Sequence, residues 1–388
     1  NHIAIGSNDA AYNGPLRFAT SADSNVAIGN GSLSATTSGA QNTAVGRGTM
    51  VQNLTGNYNA AYGYGALVGN LSSNNVGIGY FAGGSISSLA NQTMVGASAG
   101  YSRSTGNDNY STVMVGFQAG YATTTSPDNT YVGGYAGRWQ TGTFNTSLGA
   151  GALFGADSAS DADNNTAIGY AAMRSAQGSA TSTGNDNVAV GAHSFQANTT
   201  GRRSTIVGAY AGYTNISANE VVYVGRDAGY YQTNSSNTAI GTYAMVGASG
   251  ASTGINNPAV GISALNASRS ANNNTAVGRD AGFYHQTGDY NCYIGGTTGY
   301  NNGSGENNTF VGYAAGYQSS GSRNTFVGAR NGTLGSGQSM TTGSANTILG
   351  GFSGNQDNLD ITTSSNWVVL SDGDGNRHLS MNMASQQV

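Results

Sequence analysis

The sequence is poor in charge, lysine and cysteine. Charged residues make up 8% of the 388 residues, none of the 13 basic residues is a lysine, and the formal net charge is −4. Because no basic block is present, we expect no nucleic-acid partner. No apolar run approaches the length of a membrane-spanning helix, so we expect no membrane insertion. The single cysteine, Cys292, excludes a disulfide framework and a thiolate metal cluster within this chain.

Proline is also scarce, with 3 residues, whereas glycine is abundant, with 62. The glycines follow no three-residue period, which excludes a collagen helix. Intrinsically disordered chains usually combine high net charge with few aromatic residues, but this chain has 23 tyrosines and little charge. This composition favours a stacked, hydrogen-bonded structure.

A phrase of the form Asn-Thr-Ala-Val-Gly-x-x-Ala-Gly recurs twenty times, and its first glycine anchors each copy. Thirteen of the nineteen intervals between anchors are 16 or 17 residues, and six are 20 to 23. This period predicts an all-β parallel solenoid (a β-roll or β-helix) of about 20 coils of about 17 residues. We place it at residues 1–354, followed by a degenerate last coil and closing segment at 355–388. The anchors are Gly6, Gly29, Gly46, Gly63, Gly79, Gly96, Gly116, Gly133, Gly149, Gly169, Gly191, Gly208, Gly225, Gly241, Gly261, Gly278, Gly295, Gly312, Gly328 and Gly350.

We number positions from the anchor glycine, so that position −1 is the residue before it and position +1 the residue after it. The residue types before the anchor alternate as in a strand. Position −1 is aliphatic in nineteen copies, and position −3 is Thr, Val or Ile in seventeen. Side chains two residues apart point to the same face of a strand, and β-branched residues suit a packed sheet. We therefore predict that positions −1 and −3, including Val277 and Val311, lie inside the coil. The anchor then ends the strand, through a positive φ or a close approach of two backbones.

Position −2 would then face outward. It is small early in the chain, as at Ala27, Ala44 and Gly77, and larger later, as at Tyr223, Tyr293, Phe310 and Phe326. Exposed aromatic side chains in a row indicate an interface between chains, so we predict a homotrimer that packs through position −2.

Position −4 is asparagine in fifteen copies, which include Asn42, Asn145, Asn237, Asn274 and Asn308. Asparagines stacked on successive coils can form a hydrogen-bonded ladder. The alternative is an Asx-turn that leads into each strand. Both roles are structural.

Positions +3, +4 and +5, which follow the anchor, are expected to complete the core. Position +3 is small, and position +4 is Gly in eleven copies and Leu, Met or Phe in eight. Where position +4 is Gly, an aromatic residue such as Tyr121 or Tyr300 often follows at position +5. We therefore predict one core pocket that is filled from either position +4 or position +5.

The repeated phrase resembles the head repeats of trimeric autotransporter adhesins, and more closely the repeat shafts of bacteriophage tail fibres. The resemblance is carried by strings such as 237–241 and 308–316, and by the phrase Leu-Ser-Asp-Gly-Asp-Gly-Asn-Arg at 370–377. In such shafts this phrase often precedes a self-cleaving intramolecular chaperone domain, which this sequence does not include, so we expect a piece of a longer polypeptide. The resemblance implies a trimeric fibre on a virion or another extracellular surface.

Motifs that would carry catalysis are weak. Gly96–Gly100 matches the Gly-x-Ser-x-Gly elbow of hydrolases, but the repeat phrase produces the match, and no strand-to-helix turn is predicted there. The four histidines are scattered over different coils, without metal-ligand spacing. We therefore expect no enzymatic activity, no cofactor and no metal site.

Three classes of function remain. A structural fibre segment that mediates host attachment is favoured, with a trimeric surface adhesin or self-assembling extracellular filament as the alternative. A glycan-degrading tailspike would need a carboxylate pair, and glutamate occurs only at 220 and 306. An ice- or mineral-binding solenoid would need threonine ladders on an outer face, whereas the threonine column is predicted to be buried.

Any ligand contacts should lie in the six insertions, because loops vary without breaking the stack. The insertions are residues 12–23, 102–110, 155–163, 174–185, 247–255 and 333–344. Aromatic residues near them, Tyr12, Tyr110 and Trp139, are candidates for stacking on the rings of a cell-surface glycan. The alternative is that these loops are solvated and bind nothing.

Overall fold

The computed structural model describes residues 1–6, 14–102, 111–123, 128–155, 160–175, 183–248, 252–330 and 334–383. The described residues form strands and turns and no helix. They belong to two compact units, Asn1–Thr200 and Gly201–Val388. The predicted all-β parallel solenoid is confirmed, with about 18 turns of about 17 residues rather than about 20.

The first unit is a stack of short parallel strands, paired in sequence order and in register from β1 to β11. In each strand the residue before the anchor pairs with the residue before the next anchor. The strands are β1 (Ile3–Ile5), β2 (Val26–Ile28), β3 (Thr43–Val45), β4 (Ala60–Tyr62), β5 (Val76–Ile78), β6 (Gln92–Val95), β7 (Thr112–Val115), β8 (Thr130–Val132), β9 (Thr146–Leu148), β10 (Thr166–Ile168) and β11 (Val188–Val190).

The second unit repeats this arrangement. Its strands are β12 (Thr205–Val207), β13 (Val222–Val224), β14 (Thr238–Ile240), β15 (Pro258–Val260), β16 (Thr275–Val277), β17 (Cys292–Ile294), β18 (Thr309–Val311), β19 (Thr325–Val327), β20 (Ala329–Arg330), β21 (Leu334–Gly335), β22 (Thr347–Leu349), β23 (Asn355–Gln356), β24 (Leu359–Asp360), β25 (Trp367–Ser371) and β26 (Arg377–Asn382). Strands β12 to β19, β22 and β25 stack in parallel. The pairs β20–β21, β23–β24 and β25–β26 are antiparallel.

The β25–β26 hairpin closes the second unit with a turn at residues 372–376. Asp372 accepts hydrogen bonds from the backbone N–H groups of Asp374 and Asn376, at 3.0 and 2.8 Å. The Asn376 side chain donates to the same carboxylate at 2.9 Å, and this bond holds the pKa of Asp372 below its ordinary value. The turn residues satisfy this carboxylate themselves.

The anchor glycines combine both conditions that the sequence left open. Gly133 has a φ of +135°, and a Cβ added to it would lie 2.5 Å from the carbonyl oxygen of Gly149, the anchor of the next coil. Gly46 repeats this geometry with φ +137° and the same 2.5 Å approach to Gly63. A side chain is therefore excluded both by the backbone conformation and by the neighbouring coil.

The predicted face of the strands is wrong. Position −2 is the buried one: Ala27, Tyr223 and Phe310 are all 0% exposed, whereas Val277 at position −1 is 41% exposed. Val311 is only partly buried. The reason is the width of the coil, which admits one side chain per strand between its walls. Small alanines fit there without a void, so aliphatic character did not mark the inner face.

The core pocket is filled from position −2 or from position +4. Where position −2 is aromatic, position +4 is glycine: a Cβ at Gly137 would lie 2.6 Å from the Tyr131 ring, and one at Gly316 would lie 2.5 Å from Phe310. In seven coils in which position −2 is alanine, position +4 is large. These pairs are Ala27 with Leu33, Ala44 with Met50, Ala61 with Leu67, Ala167 with Met173, Ala189 with Phe195, Ala239 with Met245 and Ala259 with Leu265, and most are fully buried.

The prediction that position +5 fills this pocket is therefore also wrong. Where position +4 is glycine, the aromatic residues at position +5 lie outside the coil, partly buried against one another. Tyr101 stacks on Tyr121 with ring centroids 5.3 Å apart, and Tyr300 stacks on Tyr317 at 4.9 Å. Rings on successive coils are separated by about one inter-strand spacing, which is also a suitable distance for stacking. Stacking therefore shields part of each ring from water, although the rings lie outside the core.

The asparagines at position −4 are buried and form a ladder. The Oδ1 of Asn42 accepts from the backbone N–H of Asn59 at 2.9 Å, and its Nδ2 donates to the carbonyl of Gly56 at 2.8 Å. In some coils of both units the amides also bond each other: Nδ2 of Asn59 donates to Oδ1 of Asn42, and Nδ2 of Asn308 to Oδ1 of Asn291, each at 3.0 Å. Asn145, Asn237 and Asn274 make the same bonds to the coil that follows. Each asparagine thus ties two coils together.

Candidate functional site

The outer strand face is the surface made by positions −1 and −3 of the stacked strands. Its position −1 side chains are partly or well exposed; Leu148, for example, is 50% exposed. Those that are at least one third exposed include Ile78, Leu148, Ile240, Val260, Val277, Ile294, Val327 and Leu349. Since the strands are paired in register, these side chains repeat from coil to coil within each unit. Each unit therefore has a regular aliphatic row on its surface.

Threonine forms the neighbouring row at position −3, as at Thr43, Thr166 and Thr309, with valine in several coils. No charged side chain occupies position −1 or −3 in the described strands that precede an anchor. Cys292 lies in this row, and partial burial raises the pKa of its thiol. An uncharged, apolar and repetitive surface of this kind is typical of a protein interface.

Aromatic side chains at position +5 form a second surface, the aromatic column. In the first unit, Tyr101 and Tyr121 stack on successive coils, and Trp139, at position +6 of the next coil, has its ring centroid 6.1 Å from that of Tyr121. In the second unit, Tyr213 stacks on Tyr230, and Phe283 stacks on Tyr300 at 5.1 Å. Rings presented in a row at the surface offer flat apolar area to a ligand.

Of the three aromatic residues proposed for ligand contacts, only Trp139 lies among the described residues. It is partly buried, and the guanidinium of Arg138 lies 4.9 Å from its ring centroid. Its Nε1 is buried and makes no hydrogen bond to a described residue. Tyr12 and Tyr110 lie outside the described residues, as do parts of all six insertions. The sequence did not single out Arg138, although it interrupts the aromatic column at position +5.

In the described part of the chain, no three His, Cys, Asp or Glu side chains are grouped so that they could hold a metal ion. Ser98 lies in a turn with φ +56°, where its N–H donates to the carbonyl of Tyr80 at 2.8 Å. Within the same residues, no helix is long and apolar enough to cross a membrane.

No protein-family model, curated protein or solved structure matches this chain.

Proposed function

We propose that this chain is a structural fibre segment of a bacteriophage tail fibre or a similar extracellular appendage, and that it takes part in host attachment. The observation that carries the proposal is the continuous ladder within each unit. Within each unit the coils are joined by backbone bonds between strands, and most are also joined by buried asparagine bonds such as Asn59 to Asn42. Such a stack resists extension without a large core, as a fibre requires. A trimeric surface adhesin or a self-assembling extracellular filament would use the same design.

Immunogold labelling of intact particles and cells tests the location. Antibodies against the purified chain should label fibres on virions if the tail-fibre proposal holds, and cell surfaces if the adhesin alternative holds. Labelling confined to the cell interior would overturn both.

A homotrimer remains part of the proposal, but its interface moves to the outer strand face. Phe310 and Phe326 are fully buried within one chain, so they are not available to hold chains together. The aliphatic row of position −1 is available. Three copies that bring this row together would bury the apolar surface that one copy exposes to water.

Sedimentation of the purified chain tests the homotrimer, and we expect three times the mass of one chain at micromolar concentration. Val277→Asp with Ile294→Asp should dissociate it, because charges would be buried without partners at a cost of several kcal/mol. Both residues are 41% exposed in one chain, so its fold should persist. Tyr290→Asp is the matched control, since Tyr290 lies at position −5 and Asp128 and Asp186 already occupy that position in other coils. A stable wild-type monomer would contradict the homotrimer.

An ice- or mineral-binding surface is a second candidate, because the threonine row lies on the outer face and not inside. The aliphatic row beside it favours packing between proteins, since a threonine ladder on both positions would be expected for ice. Thermal hysteresis measured on the Val277→Asp, Ile294→Asp variant and on wild type separates the two. Hysteresis in the wild type that the variant lacks would favour ice binding over the interface.

A further inference from the structure

A groove of about 450 Å³ opens on the first unit where the aromatic column is interrupted. The two residues after the anchor of β9 are Ala150 and Gly151, whereas neighbouring coils carry Tyr135 at position +2 and Tyr170 at position +1. A Cβ added to Gly151 would meet only the Cδ of Arg174, at 4.0 Å. The groove therefore exists because one coil lacks the side chains that its neighbours place there.

Position +5 gives this groove its charge. On three successive coils this position holds Arg138, Phe154 and Arg174, and all three line the groove. The guanidinium groups of Arg138 and Arg174 lie 5.9 and 5.2 Å from the Phe154 ring centroid. Arg138 also lies 5.3 Å from the ring centroid of Tyr135. Two cations are thus held against aromatic rings on one wall.

Neither arginine is neutralised within the described part of the chain. No salt bridge joins either one to a described carboxylate, and the buried Nε of Arg138 donates no hydrogen bond there. The second unit shows the contrast. Arg226 lies 5.9 Å from the ring centroid of Tyr243, but its Nε is 3.1 Å from the carboxylate of Asp227. The groove therefore has positive charge and donor groups that the fold itself does not use.

We propose that this groove binds a pyranose that carries a carboxylate, as a residue of an acidic cell-surface polysaccharide. A planar guanidinium pairs well with a carboxylate, and the exposed faces of Tyr135 and Tyr170 suit the apolar C–H side of a sugar ring. The open groove can accept one ring of a longer chain. This inference rests on the proposed role in host attachment and names its ligand class.

Saturation-transfer NMR with the methyl glycosides of glucuronate, galacturonate and sialic acid tests the proposal, with methyl glucoside and inorganic phosphate as further probes. At least one acidic sugar should bind, and the neutral sugar should bind at least tenfold more weakly. If no acidic sugar binds to the wild-type protein, the proposal is overturned. If phosphate displaces the bound sugar at equal concentration, the site recognises anions in general, and the saccharide assignment is overturned.

Two variants locate the binding. Arg174→Gln should weaken it about tenfold, the size expected for one charge-assisted pair. Gly151→Tyr should abolish it by filling the groove. Tyrosine already occupies position +2 with positive φ at Tyr135 (+61°), Tyr210 (+58°) and Tyr243 (+59°), so the coil accepts it. Circular dichroism confirms the fold of each variant, and binding that persists in folded Gly151→Tyr would contradict the proposal.

Arg226→Gln is the matched control, because it removes one positive charge beside an aromatic ring outside the groove. It should leave binding unchanged, and an equal loss there would show a non-specific effect of charge. If the chain binds acidic sugars but is found only inside cells, the proposed fibre function is overturned and the proposed sugar site stands. If the chain forms a labelled surface fibre that binds no acidic sugar, only the proposed sugar site is overturned.

Discussion

Coils β2 to β4 of the first unit and coils β17 to β19 of the second fill the same pocket from opposite walls. In the first group alanine sits on the strand, and Leu33, Met50 and Leu67 project from position +4. In the second group the strand carries the bulk; Phe310 and Phe326 stack at 4.9 Å with an angle of 4° between their planes. Position +4 is then glycine.

The two solutions carry different backbone costs. Met50 has a φ of +49°, in the left-handed region that costs a non-glycine residue about 1–2 kcal/mol. Gly316 has a φ of +60° and bears no such cost. The two types of coil thus share the volume of the pocket and the left-handed turn at position +4. They differ in which residue fills the pocket.

Emptying or overfilling the aromatic pocket should have the largest effect on stability. Phe310→Ala removes a fully buried ring and should lower the free energy of unfolding by about 3–5 kcal/mol. Gly316→Leu should cost about 3 kcal/mol, because its side chain would meet the Phe310 ring and the left-handed turn disfavours it. Urea denaturation followed by circular dichroism measures both.

The double variant converts one type of coil into the other. Phe310→Ala with Gly316→Leu reproduces the Ala259 and Leu265 pair, so it should recover at least half of the summed loss. Gly134→Ala serves as a control, since no atom lies within 4 Å of its added Cβ, and it should change stability by less than about 0.5 kcal/mol. Additive losses in the double variant would contradict the shared pocket.

The asparagine ladder should be indifferent to the type of core. Asn42→Ala and Asn291→Ala each remove a buried side chain that bonds the next coil through both Oδ1 and Nδ2. We expect each to cost about 2–4 kcal/mol, because buried partners lose their hydrogen bonds. The half-buried Asn266, which donates only to the carbonyl of Tyr243, should cost less than about 1 kcal/mol when replaced by alanine. Urea denaturation of the three variants measures these losses. A difference above about 1.5 kcal/mol between Asn42→Ala and Asn291→Ala would show that the contribution of the ladder depends on the type of core.

Much of the fold could be predicted from the sequence because the repeat constrains it. The anchor spacing predicted each strand that precedes an anchor and the parallel pairing of these strands, since insertions fall between phrases. The inner face could not be found from hydrophobicity, because alanine is inside while Val277 and Ile294 are well exposed. A usable signal was the opposite size of positions −2 and +4 in the same coil, as in Tyr131 with Gly137.

The surfaces were harder to predict. Trp139 was a candidate because it is an aromatic residue near an insertion. Its connection to the groove is indirect, because its ring packs against the guanidinium of Arg138, which lines the groove. The groove exists because Ala150 and Gly151 lack the large side chains that the adjacent coils carry near these positions. Its signal in the sequence was the arginine at position +5 in two copies, at 138 and 174, where other copies carry aromatic residues.

The smallest predicted effect concerns a coil that follows neither solution, which has Ala276 at position −2 and Gly282 at position +4. Leu265 and Tyr293 reach in from the adjacent coils, and a Cβ at Gly282 would lie 2.8 Å from each. Below them His285 is buried, with Nδ1 2.7 Å from the carbonyl oxygen of Asn302 and Nε2 2.7 Å from that of Gly288. The Tyr293 hydroxyl lies 3.2 Å from Nδ1.

Burial lowers the pKa of His285 from its ordinary 6.5, against the two carbonyls and Asp289, which favour the charged ring. Below pH 6.5 the unfolded chain therefore takes up this proton before the folded chain does. The free energy of unfolding should fall by up to about 1.4 kcal/mol per pH unit between 6.5 and the lower pKa of the folded state. Above pH 6.5 this contribution to stability is fully present.

His285→Asn should remove this pH dependence without emptying the position. Asparagine occupies the equivalent site at Asn53 and Asn302, where Oδ1 accepts from the N–H three residues later at 2.9 and 2.7 Å. Urea denaturation of wild type and variant between pH 5 and 7.5 gives the difference. The wild type should lose more stability than the variant as the pH falls. Parallel pH profiles for wild type and His285→Asn would show that His285 is not the titrating group.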